Sequence, residues 1–307
     1  MILEEKEIKI SNLENELREL SLDDPKYKKL KNELDKLVKE TYSNLSAWDR
    51  VSIARSEKRI KASQLVNALL DDFIELHGDR YFSDDNSIIS GIGFLKGMPV
   101  TVLAQAKGLN LNDNIKRNFG MTSPEGFRKT LRLAKEAAKF KRPIITIVDT
   151  SGAYPGKGAE ERGQSVAIAQ NLEELSKLSV PVVAIVLSEG GSGGALALTI
   201  SDYIFMFENA IYSVLSPEGF TSILFKDKVS ISDVCEMMKM TSADLKEYGI
   251  VDEIIKEPLG GIRSINDEFK ENLKDKLFNR IKELQKLSCE DLLNNRYEKF
   301  RKIGSDL

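Results

Sequence analysis

Two apolar runs constrain this chain most: residues 144–148 (IITIV) and 182–187 (VVAIVL), each passing directly into a glycine-rich turn that opens a helical pattern. Continuously apolar strands are what a parallel sheet buried on both faces requires. Strands that alternate with helical stretches of about 10–20 residues predict an α/β fold with central parallel strands. In open α/β sheets, ligands bind outside the carboxyl ends of the strands. The turns at 149–156 (DTSGAYPG) and 189–195 (EGGSGGA) are therefore the candidate site. Glycine lets backbone approach a ligand closely. The unpaired N–H groups of a helix start can stabilise an anion or a developing oxyanion.

Other readings of these turns fit less well. The run GGSGG alone reads as a flexible linker, but here it is pinned between VVAIVL and ALALTI. A purely structural tight turn stays open. A dinucleotide fingerprint G-x-G-x-x-G begun at Gly191 and Gly193 finds Leu196 where the last glycine belongs. A phosphate-binding loop begun at Gly152 reaches Lys157 one residue too early, and Gly158 replaces the hydroxyl residue. Ser151 and Ser192 lie in small-residue turns, but neither sits in G-x-S-x-G. Many backbone donors with few acids or bases suit a reaction that forms an enolate-like oxyanion, with the base supplied from elsewhere.

The rest of the chain organises around these strands. Leu13, Leu17 and Leu20, then Leu30, Leu34 and Leu37, repeat at helical spacing on either side of Asp23-Asp24-Pro25. They predict two amphipathic helices joined by a tight turn, either a terminal ornament or a partner-docking arm. Helices are expected from Ala47 to Ile53 and from Gln64 to Leu76, the second ending at His77-Gly78. His77 suits a helix C-terminal cap or a buried hydrogen bond better than catalysis. SIISGIGFL and VTVLAQA form a hairpin around residues 96–99, followed by a basic loop and a helix opened by Ser123-Pro124-Glu125. A single helix is expected over 159–178, short strands at IFMF and IYSVL, helix over 230–250, and a charged helical tail over 264–302. The division is an arm at 1–44, a body at 45–263 and a tail at 264–307.

Composition limits what the body can do. With 307 residues and 41% hydrophobic content, the chain supports a real core. Its 45 basic and 48 acidic residues nearly balance, which argues against a dedicated nucleic-acid binder. One histidine, His77, rules out a multi-histidine metal site, and Cys235 and Cys289 are too few for a disulfide framework. A reducing cytoplasmic setting is expected. MILEEKEIKI lacks a signal-peptide layout, and Glu189 with its glycines interrupts the apolar stretch 180–200, so no membrane span is expected.

Ordered motifs then carry a resemblance. They are 76–80 (LHGDR), 117–121 (RNFGM), 124–126 (PEG), 149–156, 158–164 (GAEERGQ), 189–195, 216–219 (SPEG) and 257–261 (EPLGG). Across nearly the whole chain they resemble the alpha-subunit family of the bacterial acetyl-CoA carboxylase carboxyltransferase. The resemblance implies a crotonase-like fold of stacked β-β-α units with an N-terminal helical hairpin and a helical C-terminal tail. It implies carboxyl transfer from carboxybiotin, carried on a biotin carboxyl carrier protein, to acetyl-CoA, giving malonyl-CoA for fatty acid synthesis. The implied partners are a beta subunit in an α2β2 heterotetramer, the carrier protein and biotin carboxylase. The beta partner is expected to bring the main acetyl-CoA site and a zinc ribbon, with no metal in this chain.

On that basis Gly193 and Gly194 are expected to supply oxyanion donors. Gly152, Ala153, Tyr154, Pro155, Gly156, Gly190, Gly191 and Lys107 are expected to bind biotin or substrate. Two departures stand out: Ala106-Lys107-Gly108-Leu109 where the family has Gln-Lys-Gly-Arg, and Ser151 where it has Pro. Other readings are a related biotin-dependent acyl-CoA carboxylase or decarboxylase, or a non-catalytic scaffold on the same fold.

Overall fold

The structure, a computed structural model, describes residues 3–305 apart from Leu22 and Asp227. Helices α1 (Leu3–Glu19) and α2 (Pro25–Tyr42) form the hairpin expected from the sequence. The Asp24 carboxylate accepts the Lys26 backbone N–H at 2.8 Å, and Pro25 takes the first helical position. The two leucine stripes face each other: Leu13, Leu17, Leu30, Leu34 and Leu37 share one apolar cluster with Tyr42 and Ile53. The Tyr42 hydroxyl donates to Glu7 at 2.8 Å and locks the hairpin at its base.

Next come α3 (Ala47–Arg55) and α4 (Ala62–Leu69), then strand β1 (Asp71–Glu75). The expected helix to Leu76 thus stops at Leu69. Asp72 takes a left-handed φ of 50°, and the following residues pair antiparallel with β2 (Ile88–Leu95). Sheet pairing captures backbone that local spacing assigned to a helix. His77 therefore follows a strand and caps no helix. Its ring is exposed, with Nδ1 3.0 Å from an Asp84 carboxylate oxygen.

β2 turns into β3 (Met98–Gln105) through Lys96-Gly97, both at positive φ, as a two-residue hairpin demands. The basic loop carries a short helix, α5 (Leu111–Lys116), and a 3₁₀ turn at Asn118–Gly120. Then follow α6 (Pro124–Lys139), β4 (Ile144–Thr150), α7 (Lys157–Glu161) and α8 (Gln164–Ser176). The single helix expected over 159–178 is broken by Gly163 at φ 81°. β5 (Val182–Gly191) runs into α9 (Ser192–Thr199). β6 (Tyr203–Phe207), β7 (Ile211–Ser213) and α10 (Pro217–Phe220) follow, with a wider π-type turn at Thr221–Phe225.

The helix expected over 230–250 is two, α11 (Ile231–Met238) and α12 (Ser242–Glu247). Lys239 ends the first at φ 49°, and a Thr241–Asp244 capping box starts the second. Strand β8 (Glu253–Ile255), which the sequence pattern did not reveal, precedes α13 (Asp267–Leu284) and α14 (Cys289–Lys302).

The sheet has order β1-β2-β3-β4-β5-β6-β8, and β7 pairs with the end of β5. β1, β2 and β3 are antiparallel, and the pairs from β3 to β8 are parallel. Every residue of β4 and β5 is buried, as their apolar runs require. Leu65 and Leu69 of α4 and Leu273, Leu277 and Ile281 of α13 join one apolar cluster with the strands. Phe127 and Leu133 of α6, Leu175 of α8 and Leu198 of α9 join a second. The strands thus lie between two helical layers, with α9 starting at the carboxyl end of the central strand.

Candidate active site

Parallel pairing of β4 with β5 sets Val148 opposite Val186 and Thr150 opposite Gly190. That register brings the two glycine turns side by side, and they pack backbone to backbone. A Cβ at Gly191 would run into the Ser151 carbonyl oxygen. A Cβ at Gly194 would meet Ala153 N at 2.5 Å and Gly152 C at 2.7 Å. Gly152 sits at φ 148°, which side chains rarely adopt, and the Thr150 hydroxyl oxygen accepts its N–H at 3.0 Å.

Two buried amides hold the turns. The Gln164 side chain donates to the carbonyls of Thr122 (2.8 Å) and Tyr154 (2.9 Å). The Gln105 side chain donates to the carbonyl of Gly194 at 2.8 Å. Tyr154 N–H in turn donates to Thr122 O at 2.9 Å. Pro155 is exposed, and Gly156 precedes α7 as its N-cap. The contacts thus set Gly152 and Ala153 against Gly191 and Gly194, with Gly190 paired beside Thr150, whereas Gly193 meets Ile168.

Helix α9 begins without a side-chain cap. Its first-turn N–H groups have no carbonyl one turn back to accept them. Ser192, exposed at φ 55°, swings the chain from strand to helix there. Gly193 then lines a mainly apolar cavity of about 480 Å³ with Leu196, Tyr212, Val214 and Phe220. A polar helix start at the edge of an apolar cavity suits a ligand with an apolar body and one oxygen that gathers negative charge.

Under the turns lies a charge network. Lys107 is largely buried, its ammonium 2.7 Å from Glu189 and 3.6 Å from Asp149. Arg55 of α3 reaches Glu189 at 2.9 Å and Glu218 at 2.6 Å. Arg59 pairs with Glu257 at 2.6 Å and donates to Leu187 O and the Ser188 hydroxyl oxygen. Burial alone would raise the Glu189 carboxyl, but Lys107 and Arg55 override it and hold it below the usual range. Burial pushes the Asp149 carboxyl up, against the pull of Lys107 and Lys61. Neither oxygen of Asp149 has a hydrogen-bond partner among the described residues.

Sequence reasoning placed the glycines but not their supports. Gln105, Gln164, Arg55 and Arg59 carried no local signal, because their partners lie up to 198 residues away. Glu189 was visible as a lone charge between an apolar strand and its glycines. Among the described residues, no group of three or more His, Cys, Asp or Glu side chains is placed to hold a metal ion.

Together, the sheet topology and the packed turns define a crotonase-like α/β protein. The fold matches transcarboxylase 12S at TM-score 0.59 and 18% identity, over 75% of this chain and 43% of that one. It also matches a Pseudomonas malonate decarboxylase hetero-dimer chain at TM-score 0.55 and 15% identity, over 64% and 81%. In sequence, the family described as acetyl co-enzyme A carboxylase carboxyltransferase-like matches residues 2–304. The acetyl-coenzyme A carboxylase carboxyl transferase subunit alpha of Bacillus cytotoxicus is 51% identical over 90% of this chain and 85% of its own length. That of Staphylococcus epidermidis is 52% identical over 87% and 85%. The chain belongs to the acetyl-CoA carboxylase carboxyltransferase alpha-subunit family.

Proposed function

We propose that this chain is the biotin-side half of a carboxyltransferase that carries a carboxyl group from carboxybiotin to acetyl-CoA, giving malonyl-CoA. The observation that carries the reading is the uncapped start of α9 at the edge of the apolar cavity. A bicyclic ring with one ureido oxygen matches that pairing of surfaces. Bound there, biotin supplies the carboxyl group and, after its release, the base for the acetyl methyl group.

The chain's own residues do the rest. Gly193 and Gly194 present N–H groups to the oxygen that gains charge, already oriented by α9. Gly152, Ala153 and Tyr154 shape the facing side, with Pro155 and Gly156 leading away from it. Gly190 and Gly191 bring the second turn against the first. Lys107 acts through Glu189 as a positioning residue, since its ammonium is held by carboxylates. The enolate half of the chemistry belongs to a beta subunit, in an α2β2 assembly served by a biotin carrier protein and biotin carboxylase. A zinc ribbon on that partner and a cytoplasmic setting belong to the same proposal. The family relationship and the fold support this reading.

The test is co-purification with the beta partner, followed by malonyl-CoA-dependent carboxylation of free biotin. The complex is expected to turn over and the isolated chain to be inert. An inert complex, or strong turnover by this chain alone, overturns the split-site reading. Acetyl-, propionyl- and malonyl-CoA run side by side separate it from a related carboxylase or decarboxylase.

A further inference from the structure

The last turn of α14 reaches the cavity that opens at Gly193. Arg296, Phe300 and Ile303 follow at i, i+4 and i+7, so they share one face of the helix and its end. Arg296 is the anchor. It is 1% exposed and holds Asp202 through Nε and Nη2, each at 2.8 Å. Its remaining N–H groups donate to the carbonyls of Leu175, Leu178 and Val180. Lys299 adds an ion pair to Asp252. Phe300 and Ile303 then line the same cavity as Gly193 and Leu196.

Phe300 packs against the main apolar cluster as well as lining the cavity, so the tail braces the body and forms part of the wall at once. We propose that Phe300 and Ile303 are specificity-determining residues for the apolar body of biotin. This rests on the assignment of the cavity to biotin. The anchor fixes α14 against the end of α8, and that fixes how far the two apolar side chains reach into the cavity. The chain therefore sets the shape of its biotin cavity with residues more than 100 positions beyond the glycine turns.

The experiment uses the full chain with its beta partner and free biotin as the probe. Phe300→Ala removes part of the wall, and Ile303→Trp fills space beside it. Each should lower kcat/KM for biotin by about fivefold or more, the scale on which one apolar group discriminates in a pocket. KM for malonyl-CoA, held by the partner, should stay within about twofold, and Phe300→Leu should restore most of the loss. Melting and assembly mass are checked first, and Ile303→Trp lies at the exposed end of the helix, where folding is least at stake. Unchanged kcat/KM for biotin in folded variants overturns the proposal. So does a parallel loss for both substrates with a lowered melt, which would make α14 a structural brace only. If the wild-type complex cannot carboxylate biotin at all, the carboxyltransferase reading falls, and the wall assignment falls with it.

Discussion

Gly193 and Gly194 are adjacent and opposite in what they tolerate. A Cβ on Gly194 meets backbone of the facing turn, whereas a Cβ on Gly193 finds only Ile168 Cγ2, at 3.8 Å. Backbone cannot move aside cheaply, so Gly194→Ala should cost about 1–3 kcal/mol, the range for overpacking. Gly193→Ala should melt at or slightly above wild type, because alanine is the better helix residue. Paired thermal melts check this, and equal melts would remove the packing argument. Elsewhere, one carboxylate links pH to stability. Burial would raise Asp84, but Lys129, the Gly78 N–H and His77 override it and hold the carboxyl at about 2. A depressed folded pKa adds stability that is present above about pH 4 and lost as pH falls toward 2. Asp84→Asn should therefore lower stability at pH 7 by about 1–2 kcal/mol. The gap to wild type should close between about pH 4 and 2. A gap that stays constant down to pH 2 would show that the ion pair contributes nothing.

Elements owe their ends to different forces. α2 starts where the sequence says, because Asp24 and Pro25 act locally. The helix expected to Leu76 fails because β1 is taken by its pairing with β2, a contact between residues about 15–25 apart that no local pattern encodes. The long helix expected over 159–178 breaks at Gly163, whose φ of 81° allows α7 and α8 to diverge. Arg296 is the most deeply buried tie on α14, and that gives a prediction at this scale. Arg296→Ala leaves Asp202 with the Val182 N–H but no Arg296 counter-charge, and takes the guanidinium from three carbonyls, in a dry site. Removing one member of a buried ion pair costs about 3–5 kcal/mol. Urea melts and limited proteolysis should show that loss, with cleavage first appearing in α14. A variant that melts like wild type would mean that α14 docks through its apolar face and the Lys299–Asp252 pair without help from Arg296.

In the molecule as a whole, the order of residues is enough to establish the α/β class, the two buried central strands, the glycine turns at their ends and the helical arm. These are local matters: continuous apolar runs, turn residues and stripe spacing are written in consecutive residues. The long ordered motifs also carried the family. How the leucine stripes of the arm are covered, which is by each other, comes from the packed structure. That structure alone placed Lys107 between Glu189 and Asp149, joined Arg55 to Glu189 across 134 residues, and set Gln105 under Gly194. It also brought the end of α14 to the cavity at Gly193. The physical reason is the same in each case. A buried charge or amide takes whichever partner the packed chain brings within about 3 Å, and that choice is made by sheet register and helix docking rather than by neighbours in sequence.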